Sequence, residues 1–240
     1  MRSVILAGGR GTRLSPYTSV IPKPLLPVGE TPILELVLRH LATHDITRAT
    51  LALGYMSRYF KSFLRNNDEI TSLLEIDYVE ESQPLGTAGA IKLIADLDET
   101  FLVMNGDILT DLDITALCAW HRQQQAVLTI ATHRQPVRLD FGIVKTNTDG
   151  MVVNYIEKPT LHHEVSMGIY IYEPEVLDWI GVDERLDFPD LVLRLIRDGK
   201  AVSTFASDSF WLDLGRHEDF QKANELFGGM DRKPLTGKVA

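Results

Sequence analysis

Two segments near the N-terminus combine residue types that bind phosphate groups. An apolar run over residues 4–7 stops at the turn Gly8-Gly-Arg-Gly11, and the basic residue Arg13 follows two positions later. Glycines let backbone N–H groups approach an anion closely, and arginine adds charge-assisted hydrogen bonds. Further on, Lys23 lies between two prolines, which restrict the backbone on both sides of it. Together these segments predict a stiff, cationic surface for phosphates.

Two aspartates elsewhere in the chain are candidates for binding a metal ion. Asp107 follows the apolar run 101–104, at the carboxyl end of a predicted strand, where α/β proteins bind their ligands. Asp213 lies between Leu212 and Leu214, a setting that is costly for a carboxylate unless it is paired or bound to metal. Two carboxylates together with phosphate oxygens are an ordinary Mg²⁺ ligand set. A helix cap is the alternative role for Asp107.

Two common nucleotide-binding patterns do not match the glycine-rich turn. No Gly-Lys-Ser/Thr follows it, which excludes a Walker A loop. A dinucleotide-binding fingerprint needs a third small residue where Leu14 stands. It also needs an acidic residue at the end of the second predicted strand, where the sequence has Gly54 and Tyr55. The sequence therefore disfavours a Rossmann oxidoreductase.

The joint pattern resembles the signature of the sugar-1-phosphate nucleotidylyltransferases, also called NDP-sugar pyrophosphorylases. Its first part reads Gly8-Gly-x-Gly-Thr-Arg-Leu-x-Pro-x-Thr18, and Pro22-Lys-Pro24 follows closely. Four further segments occur in the order that the family shows: Gln83-Pro-Leu-Gly-Thr-Ala-Gly89, Asn105-Gly-Asp107, Glu157-Lys-Pro159 and Trp211-Leu-Asp-Leu-Gly215. The resemblance extends over roughly residues 2 to 227.

The resemblance implies that a nucleoside triphosphate and a sugar 1-phosphate react to give a nucleotide-sugar and pyrophosphate, with Mg²⁺ as cofactor. It implies catalytic roles for Arg13, Lys23 and Asp107, and it assigns the metal ion to Asp107 and Asp213. The residues that it assigns to the nucleotide are Leu6, Ala7, Gly8, Gly9, Gly11, Thr12, Arg13, Gln83, Gly86 and Thr87. Those that it assigns to the sugar phosphate are Gly142, Glu157, Lys158 and Gly168.

The resemblance specifies the type of reaction more closely than it specifies the nucleotide and the sugar. Residues 85–89 resemble the version found in guanylyltransferases that act on mannose or heptose 1-phosphate, so GTP is the favoured nucleotide over UTP, TTP and CTP. A uridylyl- or thymidylyltransferase acting on glucose 1-phosphate or a related sugar differs there by few residues and stays the alternative. A noncatalytic paralogue that binds a nucleotide-sugar and regulates a partner is the alternative of a different class.

The spacing of apolar residues predicts the elements that must position these side chains. Strands over 4–7, 50–54, 76–79 and 101–104 alternate with helices over 32–41, 57–65, 89–97 and 114–123. Thr31 is the predicted cap of the first of these helices, with Pro32 at its first position. This alternation implies a Rossmann-like α/β fold, with a mostly parallel sheet and helices on both faces.

The second half of the chain has a different pattern of predicted elements, with more strands and fewer helices. Strand-like runs at 127–132, 142–146, 152–156 and 166–172 have few helices between them, and Asp149-Gly150 is typical of a hairpin turn. Helices return at 174–180, 189–197 and 217–227. We expect one domain over residues 1–227, with a nucleotide-binding half to about residue 125. A sugar-phosphate-binding half with a small, partly antiparallel lobe follows, and then a flexible tail over 228–240.

Composition and charge limit the classes of partner. The 240 residues carry a net charge of −9, but the first 65 hold nine basic and three acidic residues, a local excess of +6. This distribution suits a small anionic substrate and disfavours nucleic acid and anionic membranes as partners. The apolar runs are too short for a transmembrane helix or a signal peptide, so we expect a cytoplasmic protein. Family members are often dimers or tetramers, which leaves a homo-oligomer open.

Overall fold

A central β-sheet organises the protein, whose computed structural model describes residues 1–227. The strands in this range are β1 (Arg2–Ala7), β2 (Pro27–Val28), β3 (Thr31–Pro32), β4 (Arg48–Leu53), β5 (Glu75–Glu80), β6 (Phe101–Asn105), β7 (Ile108–Thr110), β8 (Leu128–Arg138), β9 (Ile143–Thr146), β10 (Val152–Ile156), β11 (Thr160–Tyr172), β12 (Val202–Ser207) and β13 (Trp211–Asp213). The helices are α1 (Ile33–Ala42), α2 (Ser57–Arg65), α3 (Asp68–Leu73), α4 (Gly86–Gly89), α5 (Ile114–Gln124), α6 (Phe188–Arg197) and α7 (His217–Phe227).

Seven of these strands form the central sheet, in the order β12-β8-β11-β6-β1-β4-β5. Strands β6, β1, β4 and β5 run parallel, as do β12 and β8, whereas β11 is antiparallel to both of its neighbours. Parallel strands need long crossover connections, but β11 returns from β8 through the hairpin β9–β10 and so runs antiparallel. The predicted α/β fold with a mostly parallel sheet is confirmed.

Helices cover both faces of the sheet, as predicted. Successive residues of a strand point to opposite faces, so Ile5 of β1 packs into one core and Val4 into the other. The first core contains side chains of α1 and α5, such as Leu38 and Leu117, and the second contains those of α6, such as Leu191. All five side chains are fully buried. Burial on both faces explains why the central strands are almost continuous apolar runs in the sequence.

Strands β8 and β11 extend beyond the sheet and form a second lobe with the hairpin β9–β10. Residues 132–138 of β8 pair with residues 160–166 of β11, and the pairing shifts register between Ser166 and Tyr170. The hairpin contains the predicted Asp149-Gly150 turn, in which Gly150 adopts φ +80°. Two of the runs predicted to be strands here, 127–132 and 166–172, also belong to the central sheet, because the same two strands continue from the sheet into the lobe.

The start of α1 differs from the prediction. Thr31 does not cap the helix; it pairs with Val28 in the two-stranded sheet β2–β3. Pro32 takes the cap position without a side-chain hydrogen bond, and the helix begins at Ile33. The predicted cap is wrong because Thr31 is engaged in a strand pairing that the local sequence pattern does not reveal.

Two further segments are shorter or more tightly wound than predicted. The helix predicted over 89–97 begins earlier, as α4, and ends with the 3₁₀ helix Ala90–Leu93. The N–H groups of Ala88 and Gly89 both donate to the carbonyl of Leu186, which draws the segment onto that loop instead of into a longer helix. The helix predicted over 174–180 is the 3₁₀ helix Pro174–Trp179.

The remaining differences concern short or peripheral elements. Three elements were not predicted: α3 and β7, which are short, and β12, which lies at the edge of the sheet. The only cysteine, Cys118, is a buried free thiol. None of the helices within residues 1–227 has both the length and the apolar composition needed to cross a membrane. The tail over 228–240, predicted to be flexible, lies outside the described residues.

Candidate active site

The carboxyl ends of four adjacent parallel strands meet at a cleft of about 400 Å³. Asp107, Gly8, Gly54 and Glu81 lie just beyond the ends of β6, β1, β4 and β5 respectively. The cleft is lined by Leu6, Ala7, Gly8, Gly9, Gly11, Arg13, Lys23, Pro24, Ala52, Glu81, Pro84, Gly86, Thr87, Ala90, Asn105, Asp107, Asp213 and Gly215. Because ligands of α/β proteins bind at this edge of the sheet, the cleft is the candidate active site.

The glycine-rich turn forms one wall of the cleft. Gly8 O accepts a hydrogen bond from Tyr55 N–H at 3.1 Å, which ties the turn to the end of β4. Gly11 adopts φ +60°, a conformation that favours glycine. Its carbonyl accepts a hydrogen bond from Thr18 Oγ1 at 2.9 Å. These contacts hold the turn in one conformation, and Arg13 lies on the 3₁₀ helix that follows it.

Lys23 is a buried cation that lies close to both candidate metal ligands. Only 7% of its surface is exposed. It begins the 3₁₀ helix Lys23–Leu25, which follows the extended residue Pro22. Its Nζ donates a hydrogen bond to Oδ2 of Asp107 and lies 3.8 Å from Oδ1 of Asp213. The lysine is therefore held in one place, where its charge compensates two carboxylates.

A pair of short strands brings Asp107 and Asp213 together. Strands β7 and β13 form a two-stranded antiparallel sheet, and Leu214 N–H donates to Asp107 O at 3.2 Å. Burial raises the pKa of the Asp213 carboxyl and the charge of Asp107 raises it further, whereas Lys23 and Arg13 act to lower it. Two carboxylates that lie near the same lysine repel each other, so a cation bound between them is favourable.

The two carboxylates form a donor set that suits Mg²⁺. Within residues 1–227, His, Cys, Asp and Glu side chains do not gather in groups of three or more that would hold a metal ion. Protein ligands would therefore leave several coordination positions of an ion at Asp107 and Asp213 to water or substrate. Mg²⁺ accepts this arrangement, since it usually takes one or two carboxylates together with water and substrate phosphates.

The loop after β5 contributes a half-buried carboxylate, Glu81, and a tight turn at Gly86 to the cleft. Gly86 adopts φ +77°, and a Cβ there would meet the carbonyl oxygen of Leu186 at 2.5 Å. Glu81 follows β5 directly, and its Oε2 accepts a hydrogen bond from Leu85 N–H at 2.8 Å. Burial raises the pKa of Glu81. Glu81 is absent from the predicted site residues, although it follows a predicted strand at the same sheet edge as Asp107.

Comparison with known proteins identifies the family. A family model described as nucleotidyl transferase matches residues 2–228. The chain belongs to the nucleotidyl transferase family. The family predicted from the sequence motifs is therefore confirmed.

Two curated relatives in this family are each 33% identical to the chain. One is the UTP–glucose-1-phosphate uridylyltransferase of Synechocystis sp., which aligns with 93% of this chain and 62% of its own length. The other is the mannose-1-phosphate guanylyltransferase of Mycobacterium tuberculosis, which aligns with 97% of this chain and 66% of its own length. The chain thus spans less than two thirds of the length of either relative.

A solved structure matches the nucleotidyl transferase fold over nearly its whole length. HddC from Yersinia pseudotuberculosis has a TM-score of 0.72 and 28% sequence identity, and the match covers 94% of this chain and 99% of HddC. HddC has also been solved in complex with GMP-PN, and that structure matches with a TM-score of 0.70.

Most residues that the family resemblance assigns to the nucleotide lie together in the cleft. The two that do not line it are Thr12 and Gln83, which are both exposed. Gln83 lies on the loop after β5, whereas Glu81, at the start of that loop, lines the cleft in its place. The structure therefore does not bring Gln83 to the position that the resemblance implies.

The residues assigned to the sugar phosphate lie mainly on the second lobe. Glu157 and Lys158 are exposed between β10 and β11. Gly142 precedes β9 and lies against the ring of Tyr155. Gly168 is buried within β11, beside the side chain of Asn105, which lines the cleft. Gly168 therefore adjoins a residue that lines the cleft.

Proposed function

We propose that this protein transfers a nucleotidyl group from a nucleoside triphosphate to a sugar 1-phosphate and releases pyrophosphate. The observation that carries the proposal is the proximity of Lys23 to Asp107 and Asp213, in the cleft that the glycine-rich turn also lines. A cation, two carboxylates suited to Mg²⁺ and an anion-binding backbone are the parts that phosphoryl transfer requires. The activities named for the two curated relatives support the same reaction class.

In this reaction the protein holds the two substrates in position and provides positive charge beside their phosphates. The attacking oxygen belongs to a phosphate that is already ionised at neutral pH, so no general base is required. Two anions must be held in line against their mutual repulsion. Arg13 holds the triphosphate and stabilises the departing pyrophosphate, and backbone N–H groups of the glycine-rich turn bind its oxygens. Lys23 offsets negative charge on the α-phosphate and on the attacking oxygen.

Asp107 and Asp213 are the residues that would hold Mg²⁺. When bound, the ion polarises the α-phosphoryl group and offsets its charge. The chain prepares this site through the pairing of β7 with β13, which places the two carboxylates side by side. Lys23 contacts Asp107 and lies near Asp213, so its charge helps to hold the two carboxylates in place.

The second half of the chain, from about residue 126, is the sugar-phosphate half of this proposal. Lys158 neutralises the sugar phosphate, and Glu157 accepts hydrogen bonds from the sugar hydroxyl groups. Gly142 and Gly168 are positions at which the backbone approaches the sugar, because glycine has no side chain to keep it away. Gly142, Glu157 and Lys158 belong to the lobe that the hairpin β9–β10 forms with the outer parts of β8 and β11.

GTP together with mannose or heptose 1-phosphate is the favoured substrate pair. Residues 85–89 support it, as do the guanylyltransferase of M. tuberculosis and the complex of HddC with GMP-PN. A uridylyltransferase acting on glucose 1-phosphate is the second candidate, because the Synechocystis relative of that name is equally identical to the chain.

Pyrophosphate release in the presence of Mg²⁺ tests the proposal. The full chain is assayed with GTP, UTP, TTP, CTP and ATP, each against mannose, glucose and heptose 1-phosphates. Turnover with one nucleotide well above the others supports the reaction and identifies the base. Absence of release with every pair, from protein shown to be folded by circular dichroism, contradicts it. Binding of nucleotide-sugars by such an inactive protein would favour a noncatalytic, regulatory role.

A further inference from the structure

The cationic residues Arg13 and Lys23 lie on a loop that has little regular structure of its own. Three 3₁₀ helices of three residues each, Thr12–Leu14, Tyr17–Ser19 and Lys23–Leu25, make up most of it. Such short helices contain few hydrogen bonds, and the geometry of those bonds is poorer than in an α-helix. The positions of the two side chains therefore depend on contacts between this loop and other elements.

Helix α7 contacts this loop from outside the cleft. Its first residue, His217, has Nε2 3.0 Å from the carbonyl oxygen of Ser15, and since a carbonyl only accepts, the imidazole donates this hydrogen bond. The two residues are 202 positions apart in the chain. The ring of His217 also lies 5.7 Å, centroid to centroid, from the ring of Tyr17. Two contacts therefore tie the loop to the N-terminal end of α7.

The same hydrogen bond links the arginine of the loop to the second candidate metal ligand. Ser15 follows Arg13 by two residues, and His217 follows Asp213 by four. A Cβ added to Gly215 would lie 3.4 Å from Nη1 of Arg13 and 3.5 Å from Oδ1 of Asp213. Among residues 1–227, the Arg13 guanidinium forms no hydrogen bond. The backbone therefore places this group near Asp213 and leaves it available to an anion.

We propose that His217 is a positioning residue for Arg13, an inference that rests on the proposed function. By holding the Ser15 carbonyl, it keeps the guanidinium in a fixed place relative to Asp213, where the guanidinium meets the β- and γ-phosphates of the nucleotide. A guanidinium that is fixed before the ligand binds loses less freedom on binding, so the triphosphate binds more tightly. His217 itself does not line the cleft, so it acts through the loop and not on the substrate.

A role in helix formation alone does not account for His217. The N-terminus of α7 has a hydrogen bond of its own, from Arg216 N–H to Asp219 Oδ2 at 3.0 Å. Glu218 and Asp219 also place negative charge in the first turn, where it is favourable. The helix therefore has its usual N-terminal stabilisation without the imidazole, whose hydrogen bond goes to the loop instead.

Binding of a nucleoside triphosphate and of its monophosphate separates this role from a general loss of structure. Isothermal titration calorimetry in the presence of Mg²⁺ compares GTP with GMP, or UTP with UMP if pyrophosphate release identifies UTP as the substrate. We expect His217→Ala to weaken triphosphate binding by about 3- to 10-fold, as the loss of one hydrogen bond implies, and to leave monophosphate binding within about twofold of the wild type. In steady-state kinetics, KM for the nucleotide should rise while KM for the sugar 1-phosphate stays unchanged.

Two further variants distinguish the hydrogen bond from the ring contact. His217→Gln keeps an N–H donor near the place of Nε2, so it should bind the triphosphate as tightly as the wild type. His217→Phe keeps a ring beside Tyr17 but has no donor, so it should behave as His217→Ala. Gln221→Ala is the matched control, since Gln221 is exposed one turn further along α7, and it should bind both nucleotides as the wild type does.

A double-mutant cycle tests whether His217 acts through Arg13. Arg13→Ala removes the group that His217 positions, so the addition of His217→Ala should weaken triphosphate binding no further. Two residues that contribute independently would instead give losses that multiply in the double variant.

The outcomes separate this role from the proposed reaction. Unchanged triphosphate binding in folded His217→Ala, equal losses for triphosphate and monophosphate, or losses that multiply in the double variant each overturn the role of His217 and leave the reaction standing. Failure of the wild-type protein to bind any nucleotide contradicts the proposed function itself. If circular dichroism shows that His217→Ala does not fold, the comparison of His217→Gln with His217→Phe decides the matter, since equal triphosphate binding by these two variants overturns the role.

Discussion

At the scale of single residues, the convergence of Lys23, Asp107 and Asp213 is the feature with the most chemical content. Each has an ordinary explanation when it is considered alone: a lysine in a proline-rich loop, a helix cap and a carboxylate in an apolar strand. The structure removes the helix-cap alternative for Asp107, because strand β7 begins directly after it. Lys23 is buried against Asp107 and near Asp213, so all three belong to one site.

Substitution of either aspartate tests the two-carboxylate site. We expect Asp107→Asn and Asp213→Asn each to lower kcat by at least about 100-fold, because each variant removes a charged ligand of the ion that offsets transition-state charge. Initial rates of pyrophosphate release over a range of Mg²⁺ concentrations measure the effect, and melting temperatures verify that the variants fold. Asp208→Asn is the matched control, since Asp208 is exposed on the loop before β13. Full activity in either cleft variant would contradict the assignment.

At the scale of elements, the parallel strands and the antiparallel lobe have different tasks. The ends of β6, β1, β4 and β5 create the cleft, and backbone hydrogen bonds connect these ends, as from Gly106 N–H to Leu6 O at 2.9 Å. The lobe is built instead from long strands that leave the sheet, and its hairpin β9–β10 is largely exposed. Glu157 and Lys158 therefore stand on an element that packs little against the core.

Because Lys158 lies on the separate lobe, we expect its substitution to affect the KM values of the two substrates to different extents. We expect Lys158→Ala to raise KM for the sugar 1-phosphate by about tenfold or more, since a charged hydrogen-bond partner is lost, and to change KM for the nucleotide much less. Steady-state kinetics with each substrate varied in turn measure both constants. Lys145→Ala, an exposed lysine on β9 of the same lobe, should leave them unchanged. A larger effect on the nucleotide would mean that the two ends of the site are interchanged.

At the scale of the whole molecule, folding buries a histidine that must stay neutral. His40 of α1 is 2% exposed, and its Nε2 donates to the carbonyl of Leu112 at 3.0 Å. Its Nδ1 has no hydrogen-bond partner among the described residues. Burial, together with the nearby His44, lowers the pKa of His40 from 6.5 to about 4, although the Leu112 carbonyl and Asp113 act in the opposite direction. Protonation therefore favours the unfolded chain.

This burial predicts a loss of stability in mild acid. Between pH 6.5 and about 4 the unfolded chain binds a proton at His40 that the folded protein does not, so stability falls as the pH falls. We expect the wild-type protein to lose about 2 kcal/mol more than His40→Gln between pH 7 and pH 5. Urea unfolding at the two pH values measures the difference. His163→Gln, at an exposed position, should behave as the wild type, and equal losses in all three proteins would contradict the prediction.

The sequence by itself determined the fold class, the family and many of the residues that line the cleft. These features depend on residues that are close in the chain: an apolar run that ends in glycines, a lysine between prolines, and strands that alternate with helices. These features can be predicted from the spacing of residues along the chain, because side-chain periodicity and backbone restriction act over a few residues. The helix cap predicted at Thr31 is wrong because Thr31 pairs with Val28 in a two-stranded sheet. The sequence pattern of a helix start does not contain this pairing.

Only the tertiary structure decided which distant residues meet. Asp107 and Asp213 share a site because β7 pairs with β13, and neither short strand has a sequence pattern strong enough to reveal its partner. Likewise, β5 ends at Glu80, so Glu81 lines the cleft while Gln83, in the recognised motif, lies exposed on the loop. Strand pairing and loop direction depend on contacts between segments far apart in the chain. A single sequence does not contain those contacts in readable form, because many pairings satisfy the same local pattern.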